Sequence, residues 1–290
     1  MSQVVLATTR ATDARRAVAD VRAPLTFITP SASKPVFYSS AYTGGAPRVL
    51  FDTERHAVEI QDMRPLADAL SLDHEGFELH RHESAVADLY DDAAIETVYY
   101  PEIDALLRAV TGASRVVIFD ATRRSDGGAG AKNRDGLRGP ASRVHVDYTA
   151  RSGPQRVKDL FGEAEAARLA ASGARIVQIN VWRPIRGPVE RSPLALADAS
   201  TVRPADLIAT DQVFPERVGE IYHLAHHPAQ RWYYAPRMTA DEVLLIKGWD
   251  SLEDGRARFT PHGAFELPDT PPHAAPRESI EVRTLVVIED

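Results

Sequence analysis

RVHVDYTA, residues 143–150, places a histidine and an aspartate two positions apart in a run of β-branched and aromatic residues. That composition favours a strand. Successive strand side chains point to opposite faces, so His145, Asp147 and Thr149 share one face and Val144, Val146 and Tyr148 the other. An imidazole beside a carboxylate can belong to a half-solvated surface. It can also supply two of the three protein ligands of a metal ion. The rest of the chain has to decide.

With 290 residues, 44% apolar and 26% charged, the chain can bury a large core and has the composition of an ordinary globular protein. Its net charge of −7 argues against nucleic acid or an anionic membrane as the main partner, because both demand basic surface. No apolar run approaches a membrane span, and the N-terminus lacks the apolar centre of a secretory signal, so a cytoplasmic protein is expected. There is no cysteine. Disulfides, iron–sulfur clusters and thiol catalysis are thereby excluded, and any metal must be held by His, Asp, Glu or carbonyl oxygen.

A single domain over 1–290 is expected, with a mixed helical and strand part over about 1–122, a glycine-rich loop over 123–140 and a strand-rich core over about 141–290. The first 75 residues read as irregular, with short strand-like pieces such as PVFYSS and HAVEI. YYPEIDALLRAVTG reads as a helix: Ile103, Leu106, Leu107 and Val110 follow helical spacing, and Gly112 lies just past the end. SRVVIFDAT reads as a strand. RRSDGGAGAKNRDGLRGP has almost nothing to bury and reads as a mobile loop entering the His145 strand. PQRVKDLFGEAEAARLAASG reads as a second amphipathic helix. Beyond it, ARIVQINVWRPI, ADLIATDQVF, GEIYHLAHHPAQRWYYAPR, DEVLLIKGWD, ARFTPHGAFEL and ESIEVRTLVVIED are strand-like runs, most of them bounded by turn residues. This pattern predicts a mainly β fold, a sandwich or jelly-roll barrel with helices packed outside.

A facial triad of two histidines and one carboxylate needs a further histidine from a distant strand. His80 and His82 form a pair of their own in ELHRHES, but no carboxylate or arginine follows nearby to complete it. The three histidines of YHLAHHP read as surface or packing groups, and His273 lies in a proline-rich turn. His262, in TPHGAF, is distinguished by PRESIEVR further on. On that last strand Arg277, Ser279, Glu281 and Arg283 share one face. An arginine followed two residues later by a hydroxyl makes a carboxylate receptor, the guanidinium giving two parallel hydrogen bonds and the serine a third. If the strands of His262 and Arg277 are antiparallel neighbours, both groups face one interior, about one small diacid apart.

The ordered set His145-x-Asp147, His262, Arg277-x-Ser279 resembles the iron(II)/2-oxoglutarate-dependent oxygenases. KPVFYSS, LDHEGFELHRHESAVADLYDD, YYPEIDALLRAVTGASRVVIFD, RVHVDYT, QINVWRPIRGPVERSPLALAD, LIKGWDS, PHGAF and PRESIEVR together resemble one group within it. That group contains gibberellin desaturase-like proteins, the cephamycin methoxylation component and fungal meroterpenoid oxygenases. The resemblance runs from about residue 35 to the end. It implies a double-stranded β-helix, iron(II) bound by His145, Asp147 and His262, and 2-oxoglutarate bound by an arginine of PRESIEVR. Arg277 with Ser279 is the first choice for that arginine and Arg283 the competing one. The implied reaction is hydroxylation or desaturation of a small-molecule specialised metabolite with O2, while 2-oxoglutarate is decarboxylated to succinate. In QINVWRP, Gln178, Asn180 and Trp182 share a face; turned inward it would form a pocket wall, with Asn180 and Trp182 as substrate-binding residues. Two other readings stay open: a jelly-roll metalloenzyme that does not use 2-oxoglutarate, such as a cupin-like dioxygenase or isomerase, and a non-catalytic partner in a biosynthetic pathway.

Overall fold

The alternating apolar runs pair into two facing sheets in the computed structural model, which describes residues 19–128, 130–133 and 136–289. One sheet has ten strands, in the order Val21–Ile28, Thr53–Asp62, Trp232–Tyr234, Leu194–Ala197, His262–Ala264, His145–Val146, Val218–Leu224, Leu207–Val213, Val36–Tyr38 and Arg48–Leu50. The other has five antiparallel strands, in the order Phe77–Arg81, Glu242–Asp250, Arg175–Pro184, Glu278–Ile288 and Arg115–Ser125. This is the expected double-stranded β-helix. Strands from before residue 122 complete both sheets, so the early part of the chain is woven into the roll.

The strand Arg175–Pro184 shows how the interior is divided. Its outward residues Val177, Ile179 and Val181 pack with Ile103, Leu107 and Tyr99, under the helix Tyr100–Thr111. Its inward residues change character along the roll. Ile176 joins Trp249, Leu285, Val287 and the helix residues Val157 and Leu169 at one end. Trp182 joins Leu194, Leu196, Leu244 and Ile246 at the other. Gln178 and Asn180 lie between, buried and polar. Two apolar plugs therefore close a polar centre from both ends. Fully burying each large side chain in them contributes about 1.5–3 kcal/mol.

Several local expectations are corrected. Residues 1–18 lie outside the described residues, but 19–75 are not irregular: Val21–Ile28 pairs with Thr53–Asp62 across eight residues, and Pro24 is tolerated because its strand is an edge. The second amphipathic helix is two helices, Ser152–Phe161 and Glu163–Ser172, because Gly162 between them takes φ 81° and ψ 158°, outside the helical region. The glycine-rich stretch is not simply a loop. The preceding strand runs on to Ser125, and Ala131–Asn133 pairs with Gly136–Arg138 as a hairpin, pinned where Asn133 accepts from the Arg123 amide at 2.7 Å. RVHVDYTA is a strand only at His145–Val146. Thr149 instead opens a helix: its amide donates to Ser152 Oγ and its Oγ1 accepts from the Ser152 amide, a reciprocal cap. Among the described residues, no helix is long and apolar enough to cross a membrane.

Gly76 enters the edge strand Phe77–Arg81 with φ +89°, and a Cβ there would lie 2.2 Å from Thr260 Oγ1. Its carbonyl accepts from the Lys247 amide and from Thr260 Oγ1. Gly76→Ala is expected to destabilise the fold by about 1–3 kcal/mol, through backbone strain and crowding together. Urea unfolding checks this; an unchanged midpoint would refute it.

Candidate metal centre

His145 and His262 are direct partners across two antiparallel strands of the ten-stranded sheet. Their rings lie 4.6 Å apart between centroids. Asp147 follows two residues after His145, and its Oδ1 lies 3.5 Å from His145 Nε2. One ligand atom from each of the three residues lies within 4.8 Å of the others. Among the described residues no other group of histidine and carboxylate side chains converges in this way. His80 instead meets Glu78 at 2.6 Å, and His223 meets Thr210 at 3.0 Å.

The backbone sets the tautomers. His145 Nδ1 lies 2.9 Å from the Arg143 carbonyl and His262 Nδ1 lies 3.0 Å from the Thr260 carbonyl. A carbonyl can only accept, so each Nδ1 carries the proton and each Nε2 keeps its lone pair. Burial pushes His262 down to about 4, and the neighbouring His145 adds to this. For Asp147 burial alone would raise the carboxyl pKa. Arg283 beside it and the two histidines override burial and hold it well below the usual range. The centre thus offers two imidazole Nε2 atoms and one carboxylate, a donor set that fits iron(II) and leaves open positions on one side.

The two candidate arginines have different surroundings. Arg283 is fully engaged: Nε donates to Asp147 Oδ2 at 2.9 Å, Nη1 to Asp120 and Thr122, and Nη2 lies 3.2 Å from Glu281. Arg277 is buried, and its Nε and Nη2 have no partner among the described residues. Only Nη1 is used, donating to the Ser192 carbonyl at 2.9 Å, while the guanidinium lies 5.8 Å from the Trp182 ring. Burial, reinforced by the charge of Arg124, lowers Arg277 to about 10, so it stays a cation at neutral pH. Arg277, Trp182, Arg124, Glu281, His145 and His262 line one cavity. Ser279 is buried two residues further on. His262 and Arg277 do not stand on the neighbouring strands that the sequence suggests. Arg277 leads into Glu278–Ile288 of the five-stranded sheet, and the two residues meet across the interior from opposite sheets.

Arg124 does not stand out in the sequence, because it lies in the glycine-rich stretch. The β-pattern of SRVVIFDAT does continue through it. Asn180 does turn inward, but both of its N–H groups are used, toward Asp147 Oδ2 at 2.8 Å and Glu281 Oε1 at 2.6 Å. That leaves it no free donor for a substrate.

Fold and donor set define a non-haem iron oxygenase of the facial-triad class. Comparison with known proteins agrees. A family described as "Oxidoreductase/YMDC permease-like domain" matches residues 25–287. The hydroxylase/desaturase efuI of Hormonema carpetanum is 34% identical over 269 residues, covering 86% of this chain and 88% of that protein. The Fe(II)/2-oxoglutarate-dependent dioxygenase nvfI of Aspergillus novofumigatus is 34% identical over 272 residues, covering 90% of this chain and 94% of that one. A solved structure of the iron and alpha-ketoglutarate-dependent endoperoxidase NvfI superposes with a TM-score of 0.81 at 31% identity, over 93% of this chain and 99% of the other. The chain belongs to this family of Fe(II)/2-oxoglutarate-dependent oxygenases, whose cofactors are iron(II), 2-oxoglutarate and O2.

The lowered values of His262 and His223, the latter pushed by burial to about 3, make stability depend on pH. In the unfolded chain both take up a proton near pH 6.5, whereas in the fold they stay neutral to lower pH. Unfolding therefore takes up protons, and metal-free protein is expected to lose stability steadily as pH falls from about 6.5 toward 4. Urea midpoints across that window check this. His223→Gln should flatten the slope, and a pH-independent midpoint in the parent protein would contradict it.

Proposed function

We propose that this enzyme oxidises an unactivated C–H bond of a small-molecule specialised metabolite, by hydroxylation or desaturation, with 2-oxoglutarate converted to succinate and carbon dioxide. One observation carries the reading: His145 and His262, which converge with Asp147, line a cavity together with a buried arginine that keeps two nitrogens without a partner among the described residues. An orphaned buried guanidinium is costly, and a carboxylate ligand removes that cost.

In this reading His145, Asp147 and His262 hold iron(II). Arg277, with Ser279 near it, takes the distal carboxylate of 2-oxoglutarate through a paired hydrogen bond. Arg283 serves the metal centre by neutralising Asp147 and has no fork left for a cosubstrate. Bound iron(II) supplies, with O2 and 2-oxoglutarate, the oxidising power for the C–H bond. The chain's own residues perform the rest. The backbone carbonyls of Arg143 and Thr260 keep both imidazoles in the ligating tautomer. Trp182 walls the cavity beside Arg277 and excludes water from the ion pair formed there. The unpaired Arg277 also favours this reading over a jelly-roll enzyme without 2-oxoglutarate, which would not need a buried cation aimed into the cavity.

Oxygen-free protein is expected to bind one equivalent of iron(II), and His262→Ala to lose it. Arg277→Ala should weaken 2-oxoglutarate binding on the order of 100-fold, the loss of a charge-assisted pair worth about 3 kcal/mol, without changing iron affinity. Calorimetry and succinate formation measure both. Unchanged 2-oxoglutarate affinity in that variant would return the cosubstrate role to another residue.

A further inference from the structure

We propose that Asn180, oriented by Gln178, is a positioning residue that blocks one oxygen of Asp147, so that the carboxylate offers the metal a single oxygen. This rests on the metal reading above. Asp147 Oδ2 accepts from Asn180 Nδ2 at 2.8 Å and from Arg283 Nε at 2.9 Å. Oδ1 is the oxygen turned to His145 Nε2. Two donors, one of them charged, occupy the first oxygen and leave the second for a cation. The consequence is coordination number. A facial triad presents three open positions only when its carboxylate uses one. Bidentate Asp147 would consume a position needed by 2-oxoglutarate or O2.

The amide can do this in only one orientation. Asn180 Nδ2 faces two carboxylates, Asp147 and Glu281. Flipping the amide would set its oxygen against both. On the opposite side Gln178 Nε2 donates to Asn180 Oδ1 at 2.5 Å. Gln178 in turn occupies space that a side chain at 248 would need, since a Cβ on Gly248 would lie 1.9 Å from Gln178 Oε1. The pairing of Arg175–Pro184 with Glu242–Asp250 shifts register at this point, between Gln178 and Ile179. A glycine at an irregularity in one strand thus makes room for one amide, which orients a second, which holds the metal's carboxylate. Gln178 and Asn180 are buried between the two apolar plugs, and every polar atom of the Asn180 amide is partnered, which holds it in one geometry; Gln178 Oε1, over Gly248, has no partner among the described residues.

The test compares Asn180→Leu and Gln178→Glu with the parent protein under oxygen-free conditions. Leucine is similar in size but has no donor. Glutamate at 178 accepts where glutamine donates, and so favours the flipped amide. In both variants iron(II) binding is expected to weaken about 10–100-fold. The visible charge-transfer band of the iron(II)–2-oxoglutarate complex should shift in both. Should Asn180→Leu fail to fold, Gln178→Glu carries the test alone. A merely structural role would lower the urea midpoint but leave the band of the folded protein where it was, and that result overturns the proposal. If the parent protein itself binds no iron(II), the metal reading falls, and the proposal falls with it. A parent that binds iron(II) beside variants with unchanged affinity and band sinks this proposal alone.

Discussion

Arg283 and Asp147 form the contact on which the centre depends. Asp147 hangs from the ten-stranded sheet, Arg283 stands on the five-stranded one, and their 2.9 Å hydrogen bond spans the interior. Burying two charges is costly, and the attraction between them recovers that cost only if the remaining hydrogen-bonding capacity is also satisfied. Here it is: Asp120, Thr122 and Glu281 complete the guanidinium, and Asn180 completes the carboxylate oxygen. Removing one partner of a fully buried pair typically costs about 3–5 kcal/mol, and less where, as here, both side chains keep some contact with solvent. The pair therefore joins the sheets and keeps Asp147 ionised for a metal.

Apolar packing on either side sustains this polar centre. The helices Ser152–Phe161 and Glu163–Ser172 close one end with Trp249, Leu285 and Val287, and Trp182 with its aliphatic neighbours closes the other. Arg283 and Asp147 keep only 14% and 13% of their side-chain surface exposed, so the hydrogen bond between them counts for more than it would at the surface. Not every buried polar atom here is satisfied: two nitrogens of Arg277, two of Arg183 and Gln178 Oε1 have no partner among the described residues. Arg277 lines the cavity that His145 and His262 also line, and its two idle nitrogens are what the proposed cosubstrate role rests on.

Much of this is legible in the sequence. The alternation in RVHVDYTA and PRESIEVR assigns faces correctly for His145, Asp147, Arg277 and Glu281, because side-chain direction in a strand follows parity alone. The helix Tyr100–Thr111 is readable from spacing and from Gly112, which takes φ 71° at its end. Sequence reading fails where composition hides a pattern or a single residue breaks one. Arg124 lies inside a glycine-rich stretch that looks like loop. Gly162 breaks a periodicity that otherwise continues through it. Thr149 looks like a strand residue until its exchange with Ser152 shows a helix cap. Asn180 faces inward as its position implies, yet its donors serve Asp147 and Glu281.

The sequence by itself determined the identities and order of His145, Asp147 and His262 and the faces of the strands that carry them, since these follow from residue identity and local periodicity. It could not decide between Arg277 and Arg283. Both lie in one extended run, on one face, and differ only in which groups of other strands come to meet them. That is a long-range property: Asp147 reaches Arg283 because the sheets close over each other, Asp120 because it stands opposite Arg283 on the neighbouring strand of the same sheet, and among the described residues nothing reaches two of the nitrogens of Arg277. The same closure sets His262 opposite Arg277 across the roll, where the local pattern suggested neighbours.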